Sequence, residues 1–132
     1  MKKFNQKEIE FLESLEEARI ATSHENIPHV KPVSFVLEDN VIIVATDYKT
    51  RTYTNIKSNP KVGIVMDIYK SGGHKAVCVQ GIVDIVEEGP EFKKFYDIFH
   101  KKFDWVRKDP WKENEAPFLK IIPKNKTSWG LG

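Results

Sequence analysis

Residues 46–52, Thr-Asp-Tyr-Lys-Thr-Arg-Thr, gather the best set of anion-binding groups in the chain. Thr50 reads as the N-cap of a helix that follows. Free backbone N–H groups and the positive end of the helix dipole then point back toward the incoming strand. A phosphate placed there would also meet Lys49, Arg51 and the hydroxyls of Thr50 and Thr52. A basic, Thr-rich turn is more often just a solvated helix start, so the turn alone leaves both readings open.

No second constellation competes with this turn. His24, His29, His74 and His100 are scattered, and neither a Ser-His-Asp nor a Cys-His arrangement is readable. Metal-ligand spacing is absent as well, so the expectation is no catalytic side chain and no metal. Cys78 falls inside a strand-like run and reads as a small hydrophobe. As the sole cysteine it excludes an intrachain disulfide framework and fits a reducing compartment.

The elements that must position the turn follow from periodicity. The turn sits within residues 29–62, which read strand, hairpin, strand, basic turn, helix and strand. Val30 to Leu37 is a strand with Pro32 near its start. A proline there cannot donate to a ladder, which suggests a sheet edge, a bulge, or backbone kept free for a ligand. Glu38-Asp39-Asn40 is a hairpin loop, and Val41 to Thr46 is an almost wholly apolar strand. A helix from Thr50 to Ser58 is stopped by Asn59-Pro60.

Upstream, residues 5–17 read as an amphipathic helix, with Asn5 and Glu8 spaced as a capping box. Ala18 to Ser23 is a short strand, and residues 24–28 a turn. Downstream, Val62 to Tyr69 and Ala76 to Val86 are strands. In the second of these, Val77, Val79, Val83 and Ile85 share one face. The opposite face, Ala76, Cys78, Gln80 and Ile82, is small and semi-apolar, as if a second subunit covers it. Pro90 to Phe103 is a helix whose aromatics, Phe92, Phe95, Tyr96, Phe99 and Phe103, recur at core spacing. Residues 104–115 read as irregular. Phe118 to Ile122 and Thr127 to Gly130 read as a closing hairpin around residues 123–126.

Composition sets the class. A chain of 132 residues suits one domain, residues 1–132, with a modest core. Its 21 basic and 19 acidic residues give a net charge of +2, too balanced to suggest nucleic acid. No apolar run reaches the roughly 20 residues of a membrane span. The first residues lack a signal-like apolar core, so a cytoplasmic protein is expected. Short strands at close spacing, with flanking helices, imply a mainly β, α+β domain closed into a barrel.

The ordered set ARIAT, PHVKPVSFV, VIIVATDYKTRTYTNIKSNPKVGIV and VCVQGIVDIV resembles the pyridoxamine 5′-phosphate oxidase-like, FMN-binding split-barrel family over about residues 5–130. The resemblance implies a six-stranded antiparallel split β-barrel that forms a homodimer with two FMN sites at the subunit interface. By position it implies Lys31 near the phosphate or flavin ring, and the backbone of Pro32, Val33 and Ser34 along the isoalloxazine edge. Thr46 falls at the ring and ribityl contacts. Lys49, Thr50, Arg51 and Thr52 match the phosphate turn. Thr52 stands where members often carry a second basic residue, and Lys49 is its substitute. Trp129 falls where members place an aromatic near the partner subunit's flavin.

Such a protein needs no protein nucleophile, because the flavin is the redox centre. The implied activity is that of an oxidoreductase or flavin reductase with a nicotinamide or other small-molecule partner. Deazaflavin F420, which the same family binds, is the alternative cofactor. A flavin carrier or sensor without turnover is the alternative class. True pyridoxamine-phosphate oxidases carry an Arg-x-His pair near the C-terminus. The terminal KNKTSWGLG has none, which argues against vitamin B6 oxidation.

Overall fold

The structure, a computed structural model, describes residues 1–132. Six antiparallel strands close into a barrel: β1 (Glu17–His24), β2 (Ile27–Glu38), β3 (Val41–Ala45), β4 (Lys61–Ile68), β5 (Lys75–Val86) and β6 (Phe118–Trp129). The order around the barrel is β1-β2-β3-β6-β5-β4. The helices are α1 (Gln6–Glu13), α2 (Arg51–Ser58), α3 (Gly89–Lys102) and α4 (Asp104–Lys108).

Two hairpins start the barrel, and each turns on two residues of positive φ: Glu25-Asn26 and Asp39-Asn40. That conformation carries the strong twist that antiparallel neighbours prefer. The first turn is tighter than residues 24–28 suggest, because Ile27 already pairs with His24. Within β2, Phe35 to Glu38 pair with β3 on one side, whereas residues 27–34 pair with β1 alone. Pro32 therefore sits in a half-strand with one free edge, where its missing N–H costs no ladder bond.

Two apolar clusters divide the strands between them. The barrel interior holds Ile20, Phe35, Ile42, Val44, Ile64, Met66, Val77, Leu119 and Ile121, and is closed at one end by Phe4, Phe11 and Leu12 of the α1 region. The outer face of β2, β3 and β6 presents Val36, Ile43 and Phe118 to Phe92, Phe95 and Phe99 of α3 and to Phe103 at its C-cap. The aromatic stripe of α3 is thus core, as its spacing predicts. Asn5 and Glu8 form the predicted capping box, although α1 ends at Glu13 rather than 17.

Two expectations are corrected. Residues 118–130 are not a hairpin: β6 is one strand from Phe118 to Trp129, paired to β5 along its length except at Lys124. The register passes from Gln80↔Asn125 to Gly81↔Pro123, so Lys124 is an extra residue and Pro123 lies at a bulge rather than in a turn. Residues 104–115 are also not wholly irregular, since Asp104–Lys108 forms the short helix α4.

Candidate functional site

The basic turn lies where β3 leaves the barrel and α2 begins. Thr50 is the N-cap, in extended conformation, and its hydroxyl accepts from the Tyr53 N–H at 3.1 Å. The same hydroxyl donates to the Asp47 carbonyl at 2.8 Å and lies 3.1 Å from the Thr46 hydroxyl. Thr54 N–H reaches the Thr50 carbonyl. The N–H groups of Arg51 and Thr52 have no acceptor within the protein. Two free donors thus stand at the positive end of α2, and neither Lys49 nor Arg51 is in an ion pair. The Thr52 hydroxyl is different. Thr52 is 0% exposed and its Oγ1 has no partner, so it lies beneath the turn and not at its surface.

Buried polar bonds hold α2 in place. Asn55 donates to Thr22 of β1 at 3.0 Å, and Asn59, just past the helix, donates to Ser23 at 3.0 Å. Tyr48, inside the turn, donates to the Glu87 carboxylate at 2.6 Å and packs edge-on against Tyr53. Burial and the Glu87 carboxylate both push the Tyr48 hydroxyl above its ordinary range, so it stays a donor.

Beside the turn is a cavity of about 370 Å³. Lys31, Thr46, Asp47 and Thr50 line one side; Trp105, Asp109, Trp111, Glu115 and Ala116 line the other. Trp105 and Trp111 lie parallel, 6° between planes and 5.8 Å between centroids, and Trp105 donates its indole N–H to Ser34 at 3.2 Å. The 104–115 segment therefore walls the cavity. Larger hollows lie on the outer face of β1, β4 and β5, but they lack a comparable convergence of charge and aromatic rings. No His, Cys or Ser lines the cavity, so no Ser-His or Cys-His pair is assembled there; its ionisable lining is Lys31, Asp47, Asp109 and Glu115.

The structure brings Lys31, Thr46 and Thr50 together at the cavity, with Ser34 joined to it through Trp105; Lys49 and Arg51 flank Thr50 in the turn and do not line the cavity. Pro32 is exposed and Val33 faces the barrel core. Trp129 is not brought there. It is 52% exposed at the far end of β6, whose first residue pairs beside Thr46, roughly 35 Å away at ~3.3 Å per residue. Trp105, Asp109, Trp111 and Glu115 are absent from the sequence-based set of candidates. Their signal, two tryptophans within a charged stretch, shows no periodicity that marks a shared wall.

The pyridoxamine 5′-phosphate oxidase family model matches residues 4–127. No curated protein matches the sequence. Among solved structures, a FAD-binding protein from Mesorhizobium loti superposes with a TM-score of 0.75 at 19% identity, over 95% of this chain and 94% of that one. The FAD-binding protein from Mycobacterium smegmatis gives 0.69 at 17% identity, over 98% and 97%. The heme storage protein HutZ from Vibrio cholerae gives 0.79 at 16% identity, over 92% and 89%. At these identities the likeness is one of fold. The family match covers nearly the whole chain, the barrel is the one the resemblance implies, and the chain belongs to the pyridoxamine 5′-phosphate oxidase family.

Proposed function

We propose that this protein binds a flavin mononucleotide at the N-terminus of α2 and uses it as the redox centre of an oxidoreductase or flavin reductase. One observation carries the reading: the free Arg51 and Thr52 N–H groups, flanked by the unpaired Lys49 and Arg51 side chains, form a cradle for a dianion. Membership of the family and its FAD-binding structural neighbours support a flavin as the bearer of that phosphate. Lys49, Thr50 and Arg51 would hold the phosphate. Thr46 and Lys31 would meet the ribityl chain and ring, beside the free edge of β2 at Pro32, Val33 and Ser34. Thr52 would serve through its backbone N–H rather than its buried hydroxyl. The flavin supplies the electron transfer; the chain supplies binding, orientation and charge.

The homodimer belongs to the same proposal. The outer face of β1, β4 and β5 presents Ala21, Gly63, Val65 and Cys78 around a hollow, with Val30 and Ile82 exposed at its margins. A second copy seated there would cover apolar surface, and Trp129 of each chain would then have a route to its partner's flavin. The cytoplasm, which keeps Cys78 reduced, is the proposed compartment.

The test is a titration of the full chain with FMN, followed by quenching of flavin fluorescence and repeated with riboflavin, F420 and hemin. Saturation with FMN at one per chain, with riboflavin much weaker, is the expected outcome. Riboflavin binding as tightly as FMN would remove the phosphate cradle. Preference for F420 or hemin would replace the cofactor. Oxidation of NADH or NADPH by the loaded protein separates an enzyme from a carrier.

A further inference from the structure

The basic turn is bonded almost wholly to itself. Thr50 N–H reaches the Asp47 carbonyl and Lys49 N–H the Asp47 carboxylate, each at 3.2 Å. The Thr50 hydroxyl bonds to Thr46, Asp47 and Tyr53. All of these bonds span four residues or fewer. They set the shape of the turn but not its aim relative to the barrel. Two bonds tie residues 46–50 to distant parts of the chain. One is long, 3.5 Å from the Thr46 N–H to the Pro117 carbonyl where β3 ends. The other is the 2.6 Å bond from the Tyr48 hydroxyl to the Glu87 carboxylate.

Glu87 is itself held at a junction. It follows Val86, the last residue of β5, which pairs with Phe118 of β6. Its carbonyl accepts the Asn114 N–H at 3.0 Å, and the Asn114 side-chain amide donates to Glu88 at 3.0 Å. Gly89 N–H donates to Glu113 at 3.2 Å. The segment that carries Trp111, Glu115 and Ala116 is thus tied to residues 87–89. The side chain of Glu87 holds the wall of the cavity made by Thr46, Asp47 and Thr50; its main chain holds the wall that faces it. A carboxylate near an anion-binding turn repels the anion, so its charge is a cost there. Against that cost stands a charge-assisted bond, roughly twice as strong as a neutral one. Burial and the same carboxylate keep the Tyr48 hydroxyl protonated, so the link does not come and go with pH in the neutral range.

We propose that Glu87 is the positioning residue of the anion-binding turn: through Tyr48 it aims the free N–H groups of Arg51 and Thr52, and through its carbonyl it holds the facing wall in register with them. Its bearing on flavin affinity rests on the functional reading above; the anchoring of the turn does not.

The experiment compares Tyr48→Phe, Glu87→Ala and Glu87→Gln in the full chain. The first two lose the bond, whereas the third keeps an acceptor without the charge. In the ligand-free protein labelled with nitrogen-15, the backbone amide signals of residues 46–52 should move or broaden in Glu87→Ala and stay near their native places in Glu87→Gln. Glu87 is far from these residues in sequence, so their signals report the lost bond and not the substitution itself. FMN should bind Tyr48→Phe and Glu87→Ala roughly tenfold more weakly, the scale of one hydrogen bond. Riboflavin, which lacks the phosphate, should bind all forms alike. The double variant, Tyr48→Phe with Glu87→Ala, should lose no more than either single change. Glu87→Gln should bind FMN at least as tightly as the native chain, because the bond stays and a negative charge goes. Equal losses in Glu87→Gln and Glu87→Ala, additive losses in the double variant, or unmoved turn amides in Glu87→Ala would each overturn the inference. Turn amides that respond as expected while no form binds FMN would sink the functional proposal and leave the anchor standing. FMN bound equally by the native chain and every variant would do the reverse.

Discussion

The Asn55 side-chain amide donates to the Thr22 hydroxyl at 3.0 Å, and both residues are buried, Asn55 on α2 and Thr22 on β1. The bond fixes the helix against the barrel from below, while Thr50 fixes its start from above. Asn55→Ala leaves the Thr22 hydroxyl unsatisfied in the interior and should destabilise the fold by about 1–3 kcal/mol. Replacing both partners, Asn55→Leu with Thr22→Val, removes the orphan and should cost less than the sum of the single changes. Denaturation midpoints of the two single variants and the double variant measure the difference. Strict additivity would mean the bond carries no coupling.

Arg51 tests the phosphate cradle directly. Its side chain is exposed, unpaired and at the first residue of α2, so removing it should spare stability. Arg51→Ala should weaken FMN by about 1.5–3 kcal/mol, the cost of one charge-assisted bond, and leave riboflavin unchanged. Lys108→Ala serves as the control for lost positive charge. Equal losses for FMN and riboflavin would place Arg51 away from the phosphate.

Much of this site is legible in the sequence because local rules govern it. A threonine cap, an apolar strand before it and Asn59-Pro60 after it set the turn within a residue of its observed position. The sheet edge at Pro32 is legible for the same reason, since one residue type forbids one bond. The cavity wall is not. Trp105 and Trp111 meet Thr46 only because β6 brings Ala116 back beside Ala45, where Phe118 pairs with Ala45. The closing strand was hidden by Pro123, which reads as a turn until a bulge opposite Gly81 absorbs it.

Glu8 gives a pH dependence of known sign. Burial pushes its carboxyl up, but bonds from Lys126, the Asn5 N–H and Ser128, with the charge of Lys126, together hold it below its ordinary value of 4.5. A carboxyl depressed in the folded state stabilises the fold fully above its unfolded value, and that contribution is lost as pH falls through the folded value. The loss therefore lies below pH 4.5 in the native chain. Lys126→Met removes the countercharge. It should cost about 3 kcal/mol at neutral pH, as for one partner of a buried pair, and the cost should shrink as pH falls and Glu8 protonates. Denaturant melts across pH 3–7 measure both; a cost that stays constant with pH would detach Glu8 from acid stability.

Gly81 is the residue that lets β6 run unbroken. A Cβ there would stand 2.7 Å from the Ile122 carbonyl oxygen and 2.8 Å from the Ile121 Cγ2, closer than real contacts allow. Neither atom is free to yield, because Ile121 is buried in the barrel core and Ile122 is paired with Ile82 in the β5–β6 ladder. Gly81→Ala should therefore open the bulge and destabilise the chain by about 1–3 kcal/mol, the range of overpacked sites. Gly73→Ala is the matched control, since its new methyl meets only the mobile end of Lys70. The consequence should reach the cavity as well. Moving β6 at Pro123 shifts the strand whose other end, Phe118, pairs beside Thr46 and follows the Trp111 wall. Gly81→Ala should thus broaden or move the Trp111 indole resonance, while Gly73→Ala leaves it in place. Loss of stability with an unchanged Trp111 signal would show that the bulge and the cavity are mechanically separate.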